Sequence, residues 1–163
     1  MILQNFDIFD SFVTLRKLKT TDKKYVIELL SDPDVMAYIG PRRPMSENEI
    51  DNWLADNINR YNREWNRWAV ALKNSDEFIG MVGIQVDGNK YDFGYYFRKA
   101  FWGQRLIKSS IELAIHSVRL AKIKSEAFIA NGNIRSIKIA EKIGLNECFD
   151  AVRNGELGRC YYV

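Results

Sequence analysis

The sequence predicts a mixed α/β fold (α+β by some schemes), with a mostly antiparallel central sheet of about seven strands and helices on both faces. Three observations predict it. Two long segments, near residues 46–65 and 104–121, repeat apolar residues at helical spacing. Between them lie three β-rich segments whose turns are too short for crossovers, so those strands form an antiparallel meander. Residues 91–130 then run strand, helix, strand, which requires a parallel pairing through a right-handed crossover.

Taken in order, Phe12–Leu18 alternates as a strand. Thr21-Asp22 caps a helix carrying Val26, Ile27, Leu29 and Leu30. Asp32-Pro33 restarts a short helical piece through Val35, Met36 and Ile39, which stops at Gly40-Pro41. Ser46 and Glu49 form a capping box. Behind it, Ile50, Trp53, Leu54, Asn57, Ile58, Tyr61 and Trp65 share one helical stripe. The meander is Trp68–Leu72, a turn at Asn74-Ser75-Asp76, Phe78–Val86, a hairpin at Asp87-Gly88 and Tyr91–Phe97. A helix from Gln104 to Ala121 carries a wide apolar arc and is buried on more than one side. A strand at Ala127–Ala130 follows, then a helix opened by Asn133 and ended by Gly144. Two last strands, Glu147–Val152 and Leu157–Val163, are joined by Asn154-Gly155. The order is β-α-α-β-β-β-α-β-α-β-β.

Composition bounds the function classes. The chain has 163 residues, the size of one domain, with 47% apolar and 28% charged residues. Lysine and arginine exceed the acids by 24 − 21 = +3, with no basic stripe of the kind nucleic acid requires. Cys148 and Cys160 make neither a disulfide framework nor a four-ligand metal site, and the reducing cytosol is the default compartment. The first residues lack a basic n-region and carry Asp7 and Asp10, unlike a signal peptide. No run of 18 apolar residues exists to span a membrane.

Several chemistries drop out. The lone histidine, His116, lies in a broad apolar helix, so a histidine-dependent metal site has no second ligand. There is no G-x-S-x-G elbow. Gly83 and Gly88 have P-loop spacing, but Asn89-Lys90 and a strand follow instead of Gly-Lys-Ser/Thr and a helix. The informative segment runs from Asp92 to Ser109. It passes from a strand into a loop with Gly103 and then into a helix N-terminus flanked by Arg105 and Lys108. Free N–H groups and the positive end of the dipole make such a terminus a site for phosphate; the alternative is an ordinary capped helix with two solvated cations.

Asp92-Phe93-Gly94-Tyr95-Tyr96-Phe97-Arg98 followed by Phe101-Trp102-Gly103 resembles the acetyl-CoA loop of the GNAT superfamily of N-acetyltransferases, in its ribosomal-protein N-acetyltransferase-like branch. Thr14–Leu18 is similar to the family's opening strand, and Leu30–Met36 to the segment after its first helix. Asn133-Ile134-Arg135-Ser136 with Glu141-Lys142-Ile143-Gly144 is similar to its late helix. These motifs stand in family order over residues 13–163, which implies one acetyltransferase domain over residues 1–163.

The resemblance implies an enzyme that moves an acetyl group from acetyl-CoA to a primary amine by direct attack in a ternary complex. The acceptor would be an amine-bearing small molecule or a protein N-terminus. The protein would be cytoplasmic, a monomer or homodimer, with no metal, nucleic acid or membrane partner. It implies a sheet splayed between Tyr91–Phe97 and Ala127–Ala130, freeing groups near Tyr96, Phe97 and Arg98 for the acetyl and pantetheine. Gly103, Gln104, Arg105, Leu106, Ile107 and Lys108 would take the phosphates, Asn133 and Ser136 the cofactor arm. Asp92, where relatives often carry glutamate, is the candidate general base, directly or through water; Glu126 is a second carboxylate near the splay. The family's occasional acid tyrosine falls on Ala140, leaving Tyr95, Tyr96, Tyr161 and Tyr162 as substitutes. The chain departs from the family at Leu145, where phenylalanine is usual, and in the loop. Where the family has Gly-x-Gly-x-Ala, this chain has Gly103-Gln104-Arg105-Leu106-Ile107. Arg105 there either pairs with a CoA phosphate or closes the loop, which would leave a non-catalytic GNAT-like binding module.

Overall fold

The computed structural model describes residues 7–61, 67–145 and 148–163. Trp65 of the helical stripe and Glu147 at the start of a predicted strand lie outside the described residues.

An eight-stranded sheet forms in the order β1-β2-β3-β4-β5-β6-β8-β7. Its strands are β1 (Ile8–Phe9), β2 (Val13–Arg16), β3 (Trp68–Leu72), β4 (Phe78–Asp87), β5 (Lys90–Phe97), β6 (Glu126–Ala130), β7 (Cys148–Arg153) and β8 (Glu156–Tyr162). The helices are α1 (Lys23–Ser31), α2 (Pro33–Met36), α3 (Glu47–Tyr61), α4 (Arg105–Leu120) and α5 (Ile134–Lys142). All neighbours pair antiparallel except β5 and β6.

The eighth strand is β1, which the sequence does not announce because two residues are too few to show alternation. Asp10 makes the corner: its carboxylate accepts from the N–H of Phe12 at 2.6 Å and Val13 at 2.9 Å, and Ile8 pairs with Leu15. Asp22 also departs from expectation. It precedes α1 without capping it; its carboxylate instead takes the fork of Arg16 at 2.9 Å on both oxygens. Oδ2 also accepts from the Lys19 N–H at 2.9 Å, so the carboxylate ties Arg16 to the turn before α1 and not to the first turn of α1 itself. Elsewhere the local signals hold. Asp32 caps α2 by accepting from Asp34 N at 2.8 Å, and Ser46 and Glu49 exchange bonds at 3.3 and 2.8 Å ahead of α3. Asn154 (φ 51°) and Gly155 (φ 78°) build the left-handed turn between β7 and β8.

Alternation along the strands divides the core in two. Leu15, Val70, Val82, Phe93 and Phe97 face one way, where α4 brings Ile111, Ala114 and Val118 and α5 brings Ala140. Ala69, Met81 and Tyr96 face the other, under Val26, Leu29 and Leu30 of α1 and Ile50 and Leu54 of α3. The α3 stripe therefore points into the protein, and Trp53 meets the Tyr96 ring edge-on at 6.5 Å. No helix among the described residues is long and apolar enough to cross a membrane.

Candidate active site

The site exists because β5 and β6 part almost as soon as they meet. Their register holds a single pair, Asp92 with Glu126. The N–H of Arg98 donates to Ile79 O at 2.9 Å, and the β4–β5 ladder is unbroken from Gly80–Phe97 to Asp87–Lys90. Even-numbered residues of β5 therefore address β4, and the main-chain groups of Phe93, Tyr95 and Phe97 address the gap. On the other wall, Asn131 N–H donates to Leu157 O and Val163 N–H to Ser125 O, both at 3.0 Å. By the same parity Phe128 turns its main chain to the gap. The result is a cleft of about 390 Å³.

A trio of charges stands where the strands rejoin. Arg67 Nη2 donates to Asp92 Oδ2 at 2.7 Å, Arg153 Nη1 donates to Asp92 Oδ1 at 2.5 Å, and Arg67 Nη1 donates to Gln85 Oε1 at 2.7 Å. The Arg67 guanidinium lies flat across Gly94, where a β-carbon would sit 2.5 Å from Nη2. Glycine at 94 is thus the space the arginine occupies. Burial works against the Arg153 charge, but the Asp92 contact prevails and raises its pKa.

At the opposite end, the loop after β5 turns through Gly103 (φ 78°) into α4. Trp102 Nε1 donates to Phe97 O at 2.9 Å, satisfying one of the parted strand's carbonyls. Arg135, on α5, stacks 3.4 Å from the Trp102 ring centre. Gln104 precedes α4 without a side-chain cap, its Nε2 donating to Ala100 O at 3.0 Å. Asn133 caps α5, its Oδ1 accepting from Ser136 N at 3.3 Å. Tyr95 spans the two walls, its hydroxyl donating to Ser136 O at 3.4 Å. Burial pushes the Tyr95 and Tyr96 hydroxyls above the usual tyrosine range, so both stay protonated donors at neutral pH.

The loop between α2 and α3 crosses the cleft like a strap. Arg42 Nη1 is 2.5 Å from Glu156 of β8. A methyl group on Gly132, in the β6–α5 turn, would come within 2.9 Å of the Tyr38 hydroxyl.

Of the residues singled out in the sequence, Asp92, Tyr96, Phe97, Ile107, Asn133 and Ser136 line the cleft. Gly103, Gln104, Arg105, Leu106 and Lys108 follow at the loop and the first turns of α4. Lys108 pairs with Glu112 at 3.0 Å, one turn along the same helix. Arg105 is exposed and lies 5.5 Å from the Phe12 ring, away from the cleft wall. Two expectations need correction. Arg98 does not serve the cleft: its N–H faces β4, and its buried guanidinium donates to Glu77 at 2.5 Å, Glu28 at 2.6 Å and Phe78 O at 2.9 Å. Three acceptors on the far side outbid an open cleft. Asp92 is not placed as a free base either, because each of its oxygens already accepts from a guanidinium. Sequence reasoning missed Arg67, Arg153, Arg135 and the strap residues. The signal for Arg67 was Gly94, a strand glycine marking close approach of another group. Arg153 stood beside the Asn154-Gly155 turn.

A mixed sheet parted at its parallel pair, with free main chain along the gap and a glycine loop feeding a helix N-terminus at one end, defines an acetyltransferase fold. Residues 13–146 match the family described as acetyltransferase (GNAT) domain, and the chain belongs to that family. It is 30% identical over 144 residues to the uncharacterized protein YkkB of Bacillus subtilis (strain 168), covering 82% of this chain and 81% of that protein. It superposes on a GNAT-family acetyltransferase from Bacillus anthracis with a TM-score of 0.78 at 21% identity, over 96% of each chain. It also superposes on RimL, a ribosomal L7/L12 alpha-N-protein acetyltransferase in complex with coenzyme A, with a TM-score of 0.73 at 17% identity, again over 96% of each chain.

Acetyltransferases of this family use acetyl-CoA, and the cleft fits it. The gap-facing main-chain groups of Tyr95 and Phe128, and the N–H of Phe97, are those an extended, amide-containing arm would pair with in place of a missing strand. No group of three or more metal-ligating side chains occurs among the described residues.

Proposed function

We propose that this protein is an acetyl-CoA-dependent N-acetyltransferase that acetylates the primary amine of a small molecule by direct attack in a ternary complex. The observation that carries the reading is the single β5–β6 pair, which leaves a gap lined by hydrogen-bonding main chain. Bound acetyl-CoA supplies an activated acyl group. The chain's own residues hold and orient it. The main chain of Tyr95 and Phe128 and the N–H of Phe97 pair with the arm, with Asn133 and Ser136 beside it. The first turn of α4, after Gly103, takes the phosphates on its free N–H groups. The acyl end then abuts Asp92–Glu126, where the strands rejoin and where the acceptor enters, so that two reactants meet in one cleft.

The ribosomal-protein branch of the family suggests a protein N-terminus as acceptor. The strap favours a small amine: Tyr38 and the Arg42–Glu156 pair narrow the entrance, and a cleft of about 390 Å³ must hold arm and acceptor together. Asp92 anchors the two arginines, and the ammonium proton leaves through water. An Asp92→Asn variant checks this: a base would lose the acidic limb of the pH–rate profile, whereas an anchor raises KM and leaves that limb in place.

Calorimetric titration with acetyl-CoA tests the whole reading. At 100 times its dissociation constant the cofactor stabilises the fold by about 2.7 kcal/mol, visible as a raised melting temperature. Intersecting initial-rate patterns with an amine acceptor are expected. No binding at millimolar acetyl-CoA would leave a degenerate binding module. Arg105, exposed on the first turn of α4, can turn from Phe12 to a phosphate. Arg105→Ala should weaken CoA about 10-fold or more, the worth of a charge-assisted contact. Tighter binding in Arg105→Gly would show instead that the arginine closes the loop.

A further inference from the structure

The acyl end of the cleft holds a charge arrangement that acetyl-CoA does not require. Two arginines converge on one aspartate, so the Arg67–Asp92–Arg153 network carries a net charge of +1 from its own groups. Its donors are not exhausted. Among the described residues, Arg153 uses only Nη1, leaving Nε and Nη2 without a hydrogen-bond partner. Arg67 Nε is buried and unpartnered as well. Arg153 sits at the rim with 36% of its side chain exposed, while Asp92 and Arg67 are nearly enclosed. Its Cζ lies 5.3 Å from the Phe128 ring centre, so an aromatic face and a carboxylate hold the guanidinium from two sides. Asp87 also lines this end, but it is exposed at the end of β4 and makes no ion pair among the described residues, so water screens it.

A guanidinium fixed on one edge and open on the other is built for a planar, two-oxygen anion. We propose that Arg153, held by Asp92 and Phe128, binds a carboxylate of the acceptor, and that the acceptor is an amino acid or a similarly compact amine bearing a carboxylate. This rests on the acetyltransferase reading and narrows its substrate class. The strap is consistent with a compact acceptor, since Tyr38 and Arg42 line the same cleft as Arg153 and Asp92. Direct transfer balances: the amine nitrogen bonds the acetyl carbon, the thioester C–S bond breaks, CoA leaves as the thiol, and the carboxylate stays bound to Arg153.

The experiment compares an amino acid with its C-terminal amide, which keeps the amine and loses the anion. Wild-type protein should prefer the acid by about 10- to 100-fold in kcat/KM. Arg153→Gln should bring that ratio near one, chiefly through KM for the acid. Arg153→Lys should retain part of it, and Arg153→Glu should reverse it. Arg159→Gln, on the same hairpin but outside the cleft, should keep the wild-type ratio. A second readout needs no turnover: the acid, and not the amide, should raise the wild-type melting temperature, and the shift should vanish in Arg153→Gln. Equal use of acid and amide by wild type, or a preference that survives Arg153→Gln, overturns the proposal. If acetyl-CoA fails to bind while the acid still stabilises wild type and not Arg153→Gln, the acetyl-transfer reading falls and the carboxylate pocket stands.

Discussion

Two arginine–aspartate networks use the same chemistry for opposite ends. In the first, Arg16 and Asp22 are 3% and 4% exposed, and every donor of the arginine is engaged. Nη1 and Nη2 hold both Asp22 oxygens and the carbonyls of Lys17 and Asp76, and Nε donates to Asp76 Oδ1 at 2.7 Å. Desolvation opposes the Arg16 charge, yet its two aspartates raise the pKa above the ordinary value. In the second, one aspartate serves two arginines and donors remain over. The sealed network ties β2, the turn into α1 and the β3–β4 turn together. The open one presents charge to a cleft. What separates the two networks is whether the fork is saturated, not whether it is paired.

The largest expected effect breaks the sealed network. Asp22→Ala would leave Arg16 buried with half its fork unmet, at a cost of about 3–5 kcal/mol, read as a lower urea midpoint. The same operation on the open network, Asp92→Asn, should move stability far less, because water reaches the arginines it releases. Equal losses would show that the cleft network is also structural.

Next come two glycines of the same sheet. At Gly80 a β-carbon would meet Tyr96 O at 2.5 Å and Phe97 Cα at 2.9 Å, backbone that cannot step aside. Gly80→Ala should cost about 1–3 kcal/mol in thermal unfolding. At Gly94 the obstruction is the far end of the Arg67 side chain. Gly94→Ala should displace Arg67 from Asp92, leave the melting temperature nearly unchanged and weaken acceptor binding.

The smallest effect lies at the surface. The Arg43 guanidinium, with the backbone N–H of Ser46, holds the Glu49 carboxyl down at about 2, against an ordinary value of 4.5. A depressed acid contributes stability that is fully present above the ordinary value and lost as pH falls through about 2. Carboxyl NMR titration of Glu49 should find its midpoint near there, and Arg43→Ala should move the midpoint up towards the ordinary value. Because the pair is exposed, unfolding midpoints at neutral pH should hardly change in that variant.

Much of this was legible in the sequence because the deciding forces are local. A capping box, a left-handed Asn154-Gly155 turn and apolar periodicity act within one turn of chain, so α3, the last hairpin and the meander appear where expected. The ends of the cleft were legible too, as a strand running through Gly103 into a helix and as Asn133 opening another. What escaped were contacts between distant segments. Asp22 looks like a cap until Arg16 is seen beside it. Asp92 looks like a free base until Arg67, 25 residues earlier, and Arg153, 61 residues later, close on it.

The sequence by itself determined the helices, every strand but β1 and the parallel crossover, while the splay that opens the cleft was implied only by the family resemblance. Periodicity and turn chemistry depend on neighbours along the chain, and a strand–helix–strand unit has one favoured hand. Only the tertiary structure decided where charge goes. It turned Arg98 to Glu28 and Glu77 instead of the cleft, saturated Arg16, and brought Arg153 to the Asp92 end of the cleft with donors to spare. The reason is physical: a guanidinium takes whichever carboxylates the folded chain places within reach, and reach is a property of the packed molecule, not of spacing along it.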